Sequence, residues 1–279
     1  MFTRADRLLA EAPPDLFRYH VIGFHWEGFH PLLMAFDNIG GVLTTMDMEE
    51  TDLIISEAKR CVGYYDHDGY HRCPFHSRVT SFPQCRNCAS TWIPIQECIY
   101  EPQCRGEKCG CRLCAAEHTV YIAFLGKMTK IGMTQSRRLK ERGIEQGADA
   151  IAPLAVCENR MDARGIENLL SKGLGVPQRV PATSAVKELL NAQSEEAIRR
   201  RLEELRRRAV NLIDLTDEDL ILLDDYPLPS LNGTLMPVST PGAHMGHTVG
   251  VKGKFLIYRD GPLKAINLSD TVARFASSR

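Results

Sequence analysis

Residues 119–134 read TVYIAFLGKMTKIGMT. The first half of this stretch is an apolar run, Gly126-Lys127-Met128 marks a turn, and TKIGM resumes as a second short run, so the chain should double back as a β-hairpin. A basic helix should begin near Ser136, where Arg137, Arg138, Lys140 and Arg142 crowd one short segment. Working outward, AIAPLAVC reads as a further strand. Residues 161–173 (MDARGIENLLSKG) read as a helix capped by Asp162, with Ile166, Leu169 and Leu170 on one face and Gly173 as its stop.

Another helical region spans about Thr183 to Leu212 with a break near Asn191 to Ser194, where Ser194 can cap the second part. Ile198, Leu202, Leu205 and Ala209 form its apolar stripe. The arginines at 199–201 and 206–208 alternate with four glutamates and read as a solvated face. Toward the N-terminus, Tyr19 to Met48 alternates short apolar runs with turn residues and should form strands, followed by a helix over MEETDLIISEAKR. Beyond Asn232 the pattern again reads as strands, with Asp260-Gly261 a hairpin turn. An echo between VIGFHWEG near the start and TVGVKGKF near the end suggests that the two β segments pair into a small barrel. The expected class is α+β, divided as 1–60 (β-rich with a helix), 61–117 (cysteine-rich), 118–190 (hairpin and helices), 191–230 (helical connector) and 231–279 (β-rich).

The 279 residues are 44% hydrophobic and 25% charged, with a formal net charge of -1. This composition suits a folded chain and gives no global electrostatic reason to bind nucleic acid or membrane. The longest apolar stretch, around Leu220 to Leu223, is far short of a bilayer span. No apolar signal region precedes a cleavage site at the N-terminus, so a cytoplasmic protein is expected.

Nine of the ten cysteines lie between Cys61 and Cys114. In a reducing compartment such crowding points to metal coordination rather than disulfides. Cys85-Arg-Asn-Cys88 and Cys111-Arg-Leu-Cys114 are CxxC turns, Cys73-Pro-Phe-His76 is a CxxH variant, and PQCRNC and PQCRGEKC look like two versions of one knuckle. Two zinc sites are therefore expected, since a tight turn can aim two ligands at one tetrahedral ion. Spacing leaves the pairing open: Cys85/Cys88 can join Cys111/Cys114, or Cys104/Cys109, or Cys61/Cys73. An iron–sulfur cluster or a redox pair are the alternative chemistries. Cys157 stands apart as an ordinary buried thiol.

The pieces TVYIAFLGKMTKIGMT, RRLKER and ARGIENLLSKG resemble the GIY-YIG nuclease superfamily, which has a GIY strand, a YIG strand, an arginine on the next helix and a metal-binding glutamate on a later one. The resemblance implies that Tyr121 acts as general base or positions the nucleophile, that Arg138 or Arg142 stabilises the transition state, and that Glu167 binds magnesium or manganese. Thr119 stands in place of the first glycine and Lys130 in place of the second motif's tyrosine, where a lysine could polarise a nucleophile. Over a longer span, RCVGYYDHDGYHRCP, PQCRNCAS, VYIAFLGKMTKIGMT, RGIEQGAD and IENLL resemble the family called domain of unknown function DUF2797. That resemblance implies one zinc quartet of Cys61, Cys73, Cys85 and Cys88, and a second of Cys98, Cys104, Cys109 and Cys114.

Charge supports a polyanionic partner locally. Between Arg105 and Arg142 there are nine lysines or arginines against three glutamates. Trp92, Tyr100, Tyr64 and Tyr65 could stack on bases around the zinc module. The expected function is a zinc-containing protein that binds nucleic acid, RNA in preference, and cuts it if the nuclease machinery is intact. The alternatives are a catalytically inactive RNA-binding module and a zinc-stabilised protein-interaction protein.

Overall fold

A computed structural model describes residues 16–46, 48, 50–89, 98, 101–108, 110–231 and 233–278. The chain forms two units, residues 1–90 with 226–279, and residues 91–225. The N-terminal and C-terminal strands therefore share one unit, and the cysteine-rich window is divided between the two.

In the first unit the N-terminal strands are β1 (Tyr19–Glu27), β2 (His30–Asp37), β3 (Val42–Met46) and β4 (Glu50–Lys59), followed by a small hairpin of β5 (Tyr64–Asp66) and β6 (Gly69–His71). In the second unit lie β7 (His118–Leu125), β8 (Met128–Gln135), β9 (Ala150–Cys157) and β10 (Ile221–Leu222). The first unit resumes with β11 (Leu235–Pro237), β12 (Gly242–Lys252), β13 (Phe255–Arg259), β14 (Leu263–Asn267) and β15 (Arg274–Ser278). The helices are α1 (Arg112–Ala115), α2 (Leu139–Gln146), α3 (Arg160–Leu174), α4 (Ala182–Glu188), α5 (Glu195–Ala209) and α6 (Leu268–Thr271).

The first unit is a nine-stranded sheet in the order β11-β14-β13-β12-β4-β15-β1-β2-β3. The N- and C-terminal segments do pair, through β1 with β15 and β4 with β12. The sheet does not close into the expected barrel, because β11 and β3 remain its two edges. A second correction concerns MEETDLIISEAKR, which forms strand β4 instead of a helix. Flanked by β12 on one side and β15 on the other, its backbone joins two ladders, and the run Leu53, Ile54, Ile55 packs into the interior. Tertiary pairing outweighs the weak helical spacing.

The second unit is a four-stranded sheet in the order β10-β9-β7-β8. The expected hairpin is present, with Tyr121 directly opposite Gly132 and Ile122 opposite Ile131. β7 is buried along its whole length because both faces are covered. Val120, Ile122 and Phe124 point to the face packed by Ala163, Leu170 and Leu174 of α3 and by Ile198, Leu202, Leu205 and Ala209 of α5. Tyr121 points the other way, since side chains alternate along a strand. A register shift falls between Val120 and Tyr121 against β9, where Leu154 is the extra residue and Pro153 is accommodated.

α3 differs slightly from expectation at both ends. Its cap is Asn159, whose side chain accepts from the backbone N–H of Asp162, and it ends at Gly175 in the left-handed conformation. Asp162 is instead the residue that Asn159 caps onto, and its carboxylate accepts from Asn159 Nδ2 at 2.7 Å. Ser194 caps α5 as expected, accepting from Ala197 N. Among the described residues no helix is long and apolar enough to cross a membrane.

Candidate functional site

The first cysteine set lies between the end of β4 and residue 89. Cys61 stands two residues past the end of β4, and its backbone N–H donates to Ser77 O at 2.8 Å, tying the two chain segments together. Gly63 then turns with φ +82°, and a Cβ there would sit 2.0 Å from the His71 carbonyl oxygen, so only glycine fits. The sulfurs of Cys61, Cys73, Cys85 and Cys88 all lie within 4.8 Å of one another. Cys73 Sγ is 3.9 Å from Cys85 Sγ. Tetrahedral thiolates at about 2.3 Å from one ion would be separated by about 3.8 Å, so the set matches a single ion. Backbone N–H groups of Gly63 (3.5 Å) and Cys85 (3.2 Å) donate to Cys61 Sγ, orienting the ligand from outside.

Burial pushes the Cys85 thiol up, but the Cys88 backbone N–H and the Cys61 thiol donate to it and bring it down to about 6. Burial raises the Cys88 thiol. Cys61, Cys73 and Cys88 are buried together with Tyr64 and Val79 packed on them. This group could hold a metal ion such as zinc. His76 is exposed and outside the group, and its φ of 43° serves the turn in which its N–H returns to Cys73 O.

Among the described residues this is the one gathered set of thiols. Of the expected second quartet, Cys98, Cys104 and Cys114 are buried, and Cys109 lies outside the described residues, as do Trp92 and Tyr100. Tyr64 stacks on His71, and Tyr65 is 60% exposed. Cys157 is buried on β9.

The second unit carries a cleft of about 920 Å³ along its edge strand β8. Tyr121, Lys130, Arg138, Arg142 and Glu167, drawn from two strands, the helix start and α3, all line it. Residues 132–135 line it consecutively, so the cleft meets both faces of the strand. Part of the edge is covered by the segment after α3, where Ile131 N–H donates to Pro177 O at 3.0 Å and Arg179 reaches the cleft.

Tyr121 is 1% exposed, and its ring lies across Gly132, where a Cβ would meet the hydroxyl at 2.5 Å. Its hydroxyl accepts from Gln146 Nε2 at 2.6 Å. Burial pushes the phenol's pKa up, against the pull of Arg142 and the Gln146 hydrogen bond. Burial lowers Arg142, but Tyr121 and Glu145 more than offset it and leave it raised. Arg138 is engaged by two carboxylates, Glu141 at 2.7 Å and Glu145 at 2.6 Å. Glu167 is 4% exposed and forms an ion pair with Arg164, which reaches Glu101 at 3.3 Å. Burial raises the Glu167 carboxyl, with Arg164 and Lys130 pulling it back.

Arg160, Arg164 and Arg179 add three cations to this lining, and Glu101 one carboxylate. The sequence reading did not single these out. For Arg160 and Arg164 the signal was helical spacing: residues 160, 164, 167, 168 and 171 all line the cleft and fall on one face of α3. By contrast three arginines of α5 serve structure, with Arg201 donating to Lys127 O, Arg206 to Glu218 O and Arg208 to Leu174 O.

A family model matches residues 50–273. The chain belongs to the family described as protein of unknown function, DUF2797. The match takes in the first cysteine set and the whole cleft. No curated protein and no solved structure matches the chain.

Proposed function

We propose that the cleft binds the phosphodiester backbone of a nucleic acid, RNA in preference, and hydrolyses it with a divalent ion, while zinc at Cys61, Cys73, Cys85 and Cys88 is structural. The observation that carries this reading is the convergence of Tyr121, Lys130, Arg138, Arg142 and Glu167 on one cleft with three further arginines. The strand order β8-β7-β9 with α2 and α3 following the hairpin and β9 is compatible with the GIY-YIG resemblance.

Glu167 offers a hard oxygen donor suited to magnesium or manganese, and Glu101 stands on the other side of Arg164. Such an ion supplies charge neutralisation on the scissile phosphate. The protein's own groups divide the remaining work. Because its pKa is raised, Tyr121 is a phenol at neutral pH; with its oxygen accepting from Gln146, its proton is free to donate toward a phosphate oxygen. Arg142, held against Tyr121, is better placed than the doubly paired Arg138 to stabilise charge developing there. Lys130, close enough to act on Glu167, orients the attacking water. Water's oxygen replaces one ester oxygen on phosphorus, and the departing oxygen takes up the proton the water gives.

A second reading, a binding module without catalysis, is favoured by the Arg164–Glu167 ion pair, which already occupies the carboxylate. The two readings separate in cleavage assays on labelled tRNA, single-stranded RNA and DNA with magnesium or manganese, comparing the native protein with Glu167→Gln. Nuclease action requires cutting that falls at least about 100-fold in the variant while salt-sensitive binding persists. Salt-sensitive binding without cutting by either protein selects the binding module. No binding even at low salt defeats both.

A further inference from the structure

The two cysteine segments are assembled from the same two local pieces. The first piece is a Cys-x-Gly knuckle. At Cys61-Val62-Gly63 the glycine has φ +82° and its N–H donates to Cys61 Sγ at 3.5 Å. At Cys104-Arg105-Gly106 the glycine has φ +113° and its N–H donates to Cys104 Sγ at 3.4 Å. The second piece is a Cys-x-x-Cys-Ala turn. Ala89 N–H returns to Cys85 O at 2.8 Å in one copy, and Ala115 N–H returns to Cys111 O at 3.1 Å in the other.

In the second copy the knuckle and the turn abut. A Cβ on Gly106 would lie 2.8 Å from Ala115 Cβ and 3.2 Å from Cys111 O. Cys111 and Cys114 share a side-chain hydrogen bond. Cys98 joins them through Arg160, which donates to the Cys98 carbonyl at 2.5 Å and lies 3.9 Å from Cys114 Sγ. Cys98, Cys104, Cys111 and Cys114 are each at most 3% exposed. Among the described residues 101–117, the other buried positions are Pro102 and Gly106. A polar segment that buries little besides its thiols lacks the aliphatic core that would otherwise explain their burial.

We propose that Cys98, Cys104, Cys111 and Cys114 form a second tetrathiolate site for a soft divalent ion such as zinc, with Cys111 rather than Cys109 as the fourth ligand. The ion would draw Cys98 and Cys104 toward Cys111 and Cys114, which already share a side-chain hydrogen bond. Its net negative thiolate shell faces the Arg160 guanidinium, which lines the cleft, so the metal holds a cleft cation in place. This assignment stands independently of whether the cleft cuts nucleic acid.

The test is metal content of the purified full chain together with alkylation of the native protein. The expected result is about two equivalents of zinc per chain, about one in Cys111→Ser and in Cys98→Ser, and about two in Cys109→Ser. A native protein with one equivalent overturns the proposal. So does a Cys109→Ser variant that loses one while Cys111→Ser keeps both. Should the serine variants fail to fold, iodoacetamide on the zinc-loaded native chain decides: Cys109 alkylated with Cys111 protected is expected, and the reverse pattern overturns the assignment.

Discussion

The two units of the chain both bury charge-bearing side chains, and they do so to different ends. In the nine-stranded sheet, buried His244 is held between the Tyr258 hydroxyl at 3.0 Å and Thr240 O at 2.8 Å. Arg274 is spent on the carbonyls of Ser56 and Glu57 and on Asp270. In the second unit, Glu167 and Arg160 of α3 are as deeply buried, yet both line an open cleft. Burial with partners on every side marks a structural group. Burial with one side open to solvent marks a group that can still meet a ligand.

The largest effect is expected at the first cysteine set, where the zinc proposed above would be purely structural. A structural zinc contributes on the order of 10 kcal/mol in small metal-held modules. Chelation or Cys88→Ser should therefore unfold the stretch from residue 60 to 89, because among the described residues its hydrophobic cluster adds just Tyr64 and Val79 to the cysteines themselves. Hydrogen exchange across that stretch, followed alongside metal content, measures the effect. Protection that survives metal loss would mean that the loops fold without the ion.

A smaller effect tests the structural reading of the nine-stranded sheet. His20 is 5% exposed, stacked on Phe275 at 4.4 Å, with Nε2 placed 3.3 Å from Arg60 O. Burial lowers its pKa from 6.5 to about 4. The unfolded chain therefore binds a proton that the folded chain refuses between those values. Stability is full above pH 6.5 and falls as pH drops toward 4, by up to about 3 kcal/mol. His244, lowered by burial as well, acts in the same direction. Melting curves at pH 7 and pH 5 should show a smaller acid loss in His20→Asn than in the native chain. Equal losses in both would remove His20 as the cause.

How much of this was legible in the sequence follows from which interactions are local. The hairpin at 119–134 and the capped helix from Ser194 depend on turn and cap residues adjacent in the chain, and both form where expected. The strand Glu50–Lys59 was not legible, because its ladders come from β12 and β15, about two hundred residues away or more. The barrel failed for the same reason: the echo between the two β segments revealed pairing but carried nothing about the edges left open at β11 and β3. In the cleft, residue types read from motif spacing converged, whereas Arg160 and Arg164 were visible only through the helical face they share with Glu167. The Asn159 cap was missed because Asp162, an equally good cap, stood three residues on.

The smallest effect sharpens the reading of the cleft floor, through two glycines that differ in what surrounds them. Gly132 sits in β8 with negative-side backbone geometry, so its identity is set by space alone: an added Cβ would meet the Tyr121 hydroxyl at 2.5 Å and Cζ at 2.6 Å. The ring is fully buried and its hydroxyl is held by Gln146, so it cannot swing aside without breaking that bond. Gly132→Ala should cost roughly 1–3 kcal/mol, the usual range for overpacking. Gly165, in the middle of α3, meets nothing within 4 Å, and Gly165→Ala should stabilise by about 0.5–1 kcal/mol through helix propensity. Denaturant melts of the two variants should thus move in opposite directions. If both shift alike, Tyr121 is not pinned across Gly132, and the proposed role of its hydroxyl in the cleft loses its geometric support.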